Sequence, residues 1–151
     1  MKSQVFVFLC ALALLPASPA LAQATPNEVK KTNGCGCCLS WMRHLEENGF
    51  GPTQEDLFAG LLVRLKLDKG VPQRMMSCHT VFVDGYIIEG HVPAAVVRRL
   101  LEERPAAIGL AVPGMPYGSP GMGPEEDRDA YEVYLIRNDG VTDVFFSYTG
   151  N

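Results

Sequence analysis

Three cysteines in four residues, Cys35-Gly36-Cys37-Cys38, constrain what this 151-residue chain can fold into more than any other feature. Sulfurs this closely spaced must pair, exchange or hold something soft. The run also opens an amphipathic stretch. Cys38, Trp41, Met42 and Leu45 follow the i, i+3, i+4, i+7 rule, which predicts a helix over 39–48 ended by Gly49. Any fold must therefore place thiols at a helix start. There the free backbone N–H groups and the positive end of the helix dipole favour thiolate over thiol.

The segment before the cysteines carries an export signal. Lys2 precedes an apolar run over 5–15, Pro16 follows it, and Ala20-Leu21-Ala22 supplies small residues where signal peptidase cuts. The expectation is a cleaved signal peptide over 1–22. Its apolar run is about half the length a spanning helix needs. Cys10 lies within it, and Val7-Phe8-Leu9 lacks the small residues of a lipoprotein signal, so Cys10 is expected to be discarded rather than lipidated. Residues 23–151 are then expected to form one small domain with a single core. Losing Lys2 takes the net charge from −4 to −5. A mildly acidic domain without a basic patch argues against nucleic acid or anionic membrane as partner. No other apolar run is long enough to cross a membrane. Cys35, Cys37, Cys38 and Cys78 remain.

The rest of the chain is punctuated by turn signals. A short strand is expected over 28–32, before Asn33-Gly34. Gly51-Pro52 breaks the chain, and Thr53 with Asp56 predicts the start of a second helix whose apolar face is Leu57, Phe58, Leu61, Leu62 and Leu65. Residues 80–84, the Asp84-Gly85 turn and residues 86–89 form a hairpin pattern. Pro93 precedes a third helix over 94–103, with Val96, Val97, Leu100 and Leu101 inward. Residues 112–124 hold four Gly, four Pro and two Met, too many breakers for regular structure. A second hairpin is expected over 131–137 and 141–148. Mixed helices and antiparallel strands predict an α+β or α/β sandwich around one sheet.

Cys35 and Cys38 have the Cys-x-x-Cys spacing of thioredoxin-like redox sites, but Cys37 between them invites scrambling. Three thiolates with a fourth suit a soft metal instead. The fourth is Cys78, in Ser77-Cys78-His79-Thr80, and a thioredoxin-like arrangement would bring it to the others. Zinc usually takes paired Cys-x-x-Cys knuckles, not a three-and-one split. Adjacent Cys37 and Cys38 are better suited to bridging several ions, which favours copper(I). A metal-independent dithiol enzyme and plain structural disulfides remain alternatives. His79 can be ligand, proton carrier or packing. His91 is expected to cap the third helix and His44 to face solvent. Met115 and Met122 can be thioether ligands or gap-fillers. Trp41, Met42 and Leu45 are expected in the core, and Asp84 and Glu89 need no catalytic role.

Three blocks of residues together carry a family resemblance. The first is Cys35-Gly36-Cys37-Cys38-Leu39-Ser40-Trp41 with His44-Leu45 and Gly49-Phe50. The second is Ser77-Cys78-His79-Thr80, Val83-Asp84-Gly85-Tyr86 and Ile88-Glu89-Gly90-His91-Val92-Pro93. The third is Gly109-Leu110-Ala111-Val112-Pro113-Gly114-Met115-Pro116 and Gly118-Ser119-Pro120-Gly121-Met122. They resemble the CopG-type copper-resistance proteins of the Gram-negative periplasm. The resemblance implies a thioredoxin-like fold and a multinuclear copper–thiolate cluster on Cys35, Cys37, Cys38 and Cys78. It also implies redox cycling of copper; copper ions and other periplasmic copper-handling proteins are the expected partners. One departure stands out: Gly51-Pro52-Thr53 leads almost directly into the second helix, so a strand at that edge of the sheet is expected to be shortened.

Overall fold

The structure, a computed structural model, describes residues 24–151, so the expected signal peptide and Cys10 lie outside the described residues. Seven strands form one mixed sheet: β1 (Thr25–Lys31), β2 (Phe50–Asp56), β3 (His79–Val83), β4 (Tyr86–Glu89), β5 (Ala107–Ala111), β6 (Tyr131–Arg137) and β7 (Thr142–Tyr148). Their order across the sheet is β2-β1-β3-β4-β5-β6-β7. The β1–β2 and β4–β5 pairs are parallel and the other four antiparallel. Three helices connect them: α1 (Gly36–Glu47), α2 (Ala59–Asp68) and α3 (Ala94–Glu103). Among the described residues, no helix is long and apolar enough to cross a membrane.

Strand alternation divides the side chains between two faces. On one face, Val29, Val81, Val83, Tyr86, Ile88, Leu110 and Val133 pack against Trp41 and Leu45 of α1 and Val96, Val97 and Leu100 of α3. On the other, Ile87, Ala111 and Ile136 form a smaller cluster with Val71 and Met75. The hairpins form over the residues their turn chemistry predicted. Asp84 and Gly85 both take positive φ, as a two-residue hairpin turn requires.

Two expectations need correction. The stretch after Gly49 is a full strand, not a shortened edge or a helix start: β2 pairs with β1 over all seven residues. An edge strand tolerates a proline because one side of its ladder is unused. Its polar residues are matched across the pair, Lys30 with Glu55 and Lys31 with Asp56. The second helix starts only at Ala59 and turns a different face inward. Leu62 and Lys66 are buried, whereas Phe58 is 84% exposed and Leu61 58%. Residues 107–111, to which no element was assigned from sequence, form β5 in the interior of the sheet. Small side chains and Gly109 hide the strand pattern, yet Gly109 is needed there: a Cβ would collide with the backbone of Ile87 on β4.

Candidate metal centre

Helix α1 begins three residues earlier than periodicity predicts. Cys35 takes the cap position and Cys37 and Cys38 lie in the first turn, with no side-chain cap on the free N–H groups. Cys38 is fully buried, and Cys35, Cys37 and Cys78 are half-buried. Cys35 and Cys38 form a disulfide with Cα atoms 5.3 Å apart, and among the described residues Cys37 and Cys78 are free thiols. Cys35 Sγ lies 3.5 Å from Cys37 Sγ. All four sulfurs lie within 4.8 Å of one another.

Cys78 belongs to a second group as well. Its sulfur lies 3.2 Å from His79 Nδ1 and 3.1 Å from His91 Nε2. These three residues also offer ligand atoms within 4.8 Å of one another. Cys78 stands just before β3, His79 is its first residue, and His91 follows β4 across the hairpin. The antiparallel register brings them together. His91 Nδ1 lies 2.7 Å from the carbonyl of Pro120. A carbonyl only accepts, so Nδ1 carries the proton and Nε2 presents a lone pair to Cys78. His91 is thus a site residue and not the expected helix cap. That role falls to His44, which is half-buried, not solvent-facing, and accepts the Ala94 N–H at 3.0 Å on Nε2.

Burial governs the titration of this centre. It pushes the Cys78 thiol up to about 12, with the nearby Cys37 adding to the shift and a Ser77 hydrogen bond opposing it. It also holds His79 and His91 below the ordinary histidine value; His91 and Lys66 reinforce the shift at His79. His79 is fully buried, its Nε2 has no hydrogen-bond partner among the described residues, and its ring packs on Trp41 at 4.5 Å between centroids. Trp41 is core, as expected, and also walls the site: its Nε1–H donates to the Val92 carbonyl at 2.8 Å, beside His91.

The Gly-Pro-Met loop closes one side. Gly121, at φ +83°, packs on the first turns of α1: a Cβ there would lie 2.7 Å from Trp41 N and 2.9 Å from the Cys37 carbonyl. Pro120, its neighbour, orients His91. Met122 is half-buried, and Met115 is 45% exposed. Sequence reasoning passed over the Pro120 carbonyl, the His44 cap and the buried Lys66–Glu89 pair. The available signal for the last was a lysine four residues after Leu62, on the stripe that α2 buries.

The donor set is soft sulfur with imidazole nitrogen at its margin, which matches copper(I) and zinc rather than magnesium or calcium. A thiol cluster at the N-terminus of α1, on this sheet, defines a thioredoxin-like domain equipped for metal or thiol chemistry. A family model described as a protein of unknown function, DUF411, matches residues 75–122. Two solved structures of the copper resistance protein CopG, forms 1 and 2, also match. Form 1 is 42% identical, with a TM-score of 0.78 over 84% of this chain and 99% of that one. Form 2 is 43% identical, with a TM-score of 0.75 over 83% and 98%. No curated protein matches the chain. At this identity and coverage, the chain belongs to the CopG copper resistance protein family.

Proposed function

We propose that this chain is an exported protein that binds copper(I) as cargo in a multinuclear thiolate cluster on Cys35, Cys37, Cys38 and Cys78. The observation that carries the reading is the approach of four sulfurs to within 4.8 Å of one another. Thiolates on adjacent residues favour bridging several ions over closing around one. His91 Nε2, its lone pair fixed toward Cys78 by the Pro120 hydrogen bond, offers a nitrogen donor at the edge of the cluster. The names of the solved relatives, copper resistance proteins, support copper over zinc. In this reading residues 1–22 are removed on export, residues 23–151 form one domain, and the protein works in the periplasm. The test is anaerobic titration of the reduced protein with copper(I), with stoichiometry by elemental analysis. More than one copper retained per chain against a moderate competitor is expected; no retention overturns the reading.

A second reading is favoured by the Cys35–Cys38 disulfide. The open dithiol and the disulfide differ by two electrons. Two copper(II) ions taking one electron each from the two thiolates would become two copper(I) ions as the S–S bond forms. Cys37 and Cys78 would remain as thiols to hold the reduced ions. That makes the protein a copper oxidoreductase and not only a store. Mixing reduced protein with copper(II) under argon, with a copper(I)-specific chromophore, should give about two copper(I) per disulfide formed. A metal-independent dithiol enzyme predicts instead that Cys37→Ser keeps disulfide-exchange activity with protein substrates.

A further inference from the structure

Across the sheet from the thiols lies a charged pair that the copper reading does not use. Lys66 of α2 is 1% exposed and Glu89 of β4 fully buried, and the two form an ion pair. Such a pair is weak evidence for stability, because desolvating both charges offsets most of their attraction. Its other contacts suggest a different role. Lys66 Nζ donates to the carbonyl of Ser77 at 3.2 Å and to Thr80 Oγ1 at 2.9 Å. Glu89 Oε1 accepts the backbone N–H of Ser77 at 2.7 Å, and Oε2 accepts the Thr80 hydroxyl at 2.7 Å. Thr80 and Glu89 are register partners across β3 and β4, so the base of the network is part of the sheet.

Ser77 is therefore gripped through both its backbone polar groups, the carbonyl by the cation and the N–H by the anion. The next residue is Cys78. Residues 76–78 lie in neither helix nor strand, so no ladder holds them. Gly90 presses on Ser77 from the side, where a Cβ would come within 2.6 Å of the Ser77 side chain. We propose that Lys66 and Glu89 are positioning residues for the metal centre. The pair clamps Ser77 and thereby sets the Cys78 sulfur within reach of Cys37 and His91. Charged partners suit this task because charge-assisted hydrogen bonds are shorter and about twice as strong as neutral ones. The purpose of the clamp rests on the reading that Cys78 serves the cluster, so it is tested first without copper.

The test variant is Lys66→Met/Glu89→Gln, which removes both charges together and strands neither. With Cys10 replaced by serine throughout, only Cys37 and Cys78 can pair in a Cys35→Ser/Cys38→Ser background, and their effective concentration is measured against a glutathione redox buffer. In a Cys37→Ser/Cys78→Ser background the same measurement reports Cys35–Cys38, whose spacing is set within α1. Losing the clamp should lower the Cys37–Cys78 value about tenfold or more and leave Cys35–Cys38 unchanged. No change in a folded variant, or an equal fall in both pairs, overturns the proposal. Should the double variant fail to fold, Thr80→Val keeps both charges and removes the hydroxyl bridge. It should lower the same pair selectively, by a smaller factor, and an unchanged pair overturns the clamp. With the native cysteines restored, the double variant should retain no more copper(I) than Cys78→Ser. Selective loss of thiol pairing with full copper retention supports the clamp and overturns the copper role of Cys78.

Discussion

The thiols of α1 and the Cys78–His79–His91 group meet at one centre but are held there by different means. Cys35, Cys37 and Cys38 are neighbours in the chain, and the first turn of one helix sets their geometry. Cys78, His79 and His91 come from the two ends of a hairpin. They depend on the β3–β4 register, on Pro120 in a distant loop and on an ion pair behind the sheet. The helix half can survive local damage elsewhere. The strand half is exposed to changes many residues away, which makes it the half through which the centre is tuned or lost.

Trp41 links the two halves, and breaking it should have the largest effect. Trp41→Ala empties a fully buried site and removes the wall against His79. It should cost about 3–5 kcal/mol in chemical denaturation. Cys78→Ser sharpens the contrast, because it removes the strand half's sulfur and leaves the helix disulfide able to form. Copper(I) affinity should fall by more than about a hundredfold, beyond the loss typical for an outer-shell partner, in competition titrations. An unchanged affinity would mean that the helix half suffices. His91→Gln keeps a polar side chain but loses the oriented lone pair, and should weaken copper retention by about tenfold, with Cys35–Cys38 pairing unaffected.

Acidification probes the buried histidines of both sides of the centre without mutation. His44, His79 and His91 all titrate below the usual 6.5 in the folded protein, chiefly because burial disfavours the charged ring. Unfolded histidines bind protons near 6.5, so the unfolded state gains as pH drops. Stability present above that value is lost as pH falls through it toward the folded values. Thermal melts of the copper-free oxidised protein should therefore show a lower Tm at about pH 5.5 than at about pH 7.5. The helix disulfide does not titrate and contributes nothing to that difference. The smallest effect belongs to the exposed edge of the sheet. Glu55→Gln breaks a surface pair with Lys30 and should change stability by less than about 1 kcal/mol in the same melts.

Much of this architecture was legible from local pattern. Helix α3, both hairpins and the core side of α1 follow from periodicity and turn residues. The misread elements share a cause. β2 looks polar and broken because its stabilising partners, Lys30 and Lys31, sit on another strand. β5 looks like a linker because close approach to Ile87 demands glycine where a strand usually carries a branched residue. α2 turns a lysine inward because Glu89, 23 residues away, neutralises it. Of the centre, Cys35, Cys37 and Cys38 could be singled out from their clustering, and Cys78 only through the thioredoxin-like arrangement and the family resemblance. His91 could not be assigned, because nothing near it in sequence reveals that Pro120 orients its ring.

The sequence by itself determined that thiols would stand at the start of a helix, since that depends only on spacing, helix period and the free N–H groups of a first turn. It also determined the tight turns, where two residues decide the backbone. The tertiary structure decided what faces those thiols. Sheet order, register and the pairing of buried charges are long-range quantities, and they brought Cys78 and His91 to the helix while the Lys66–Glu89 pair holds Ser77, the residue before Cys78.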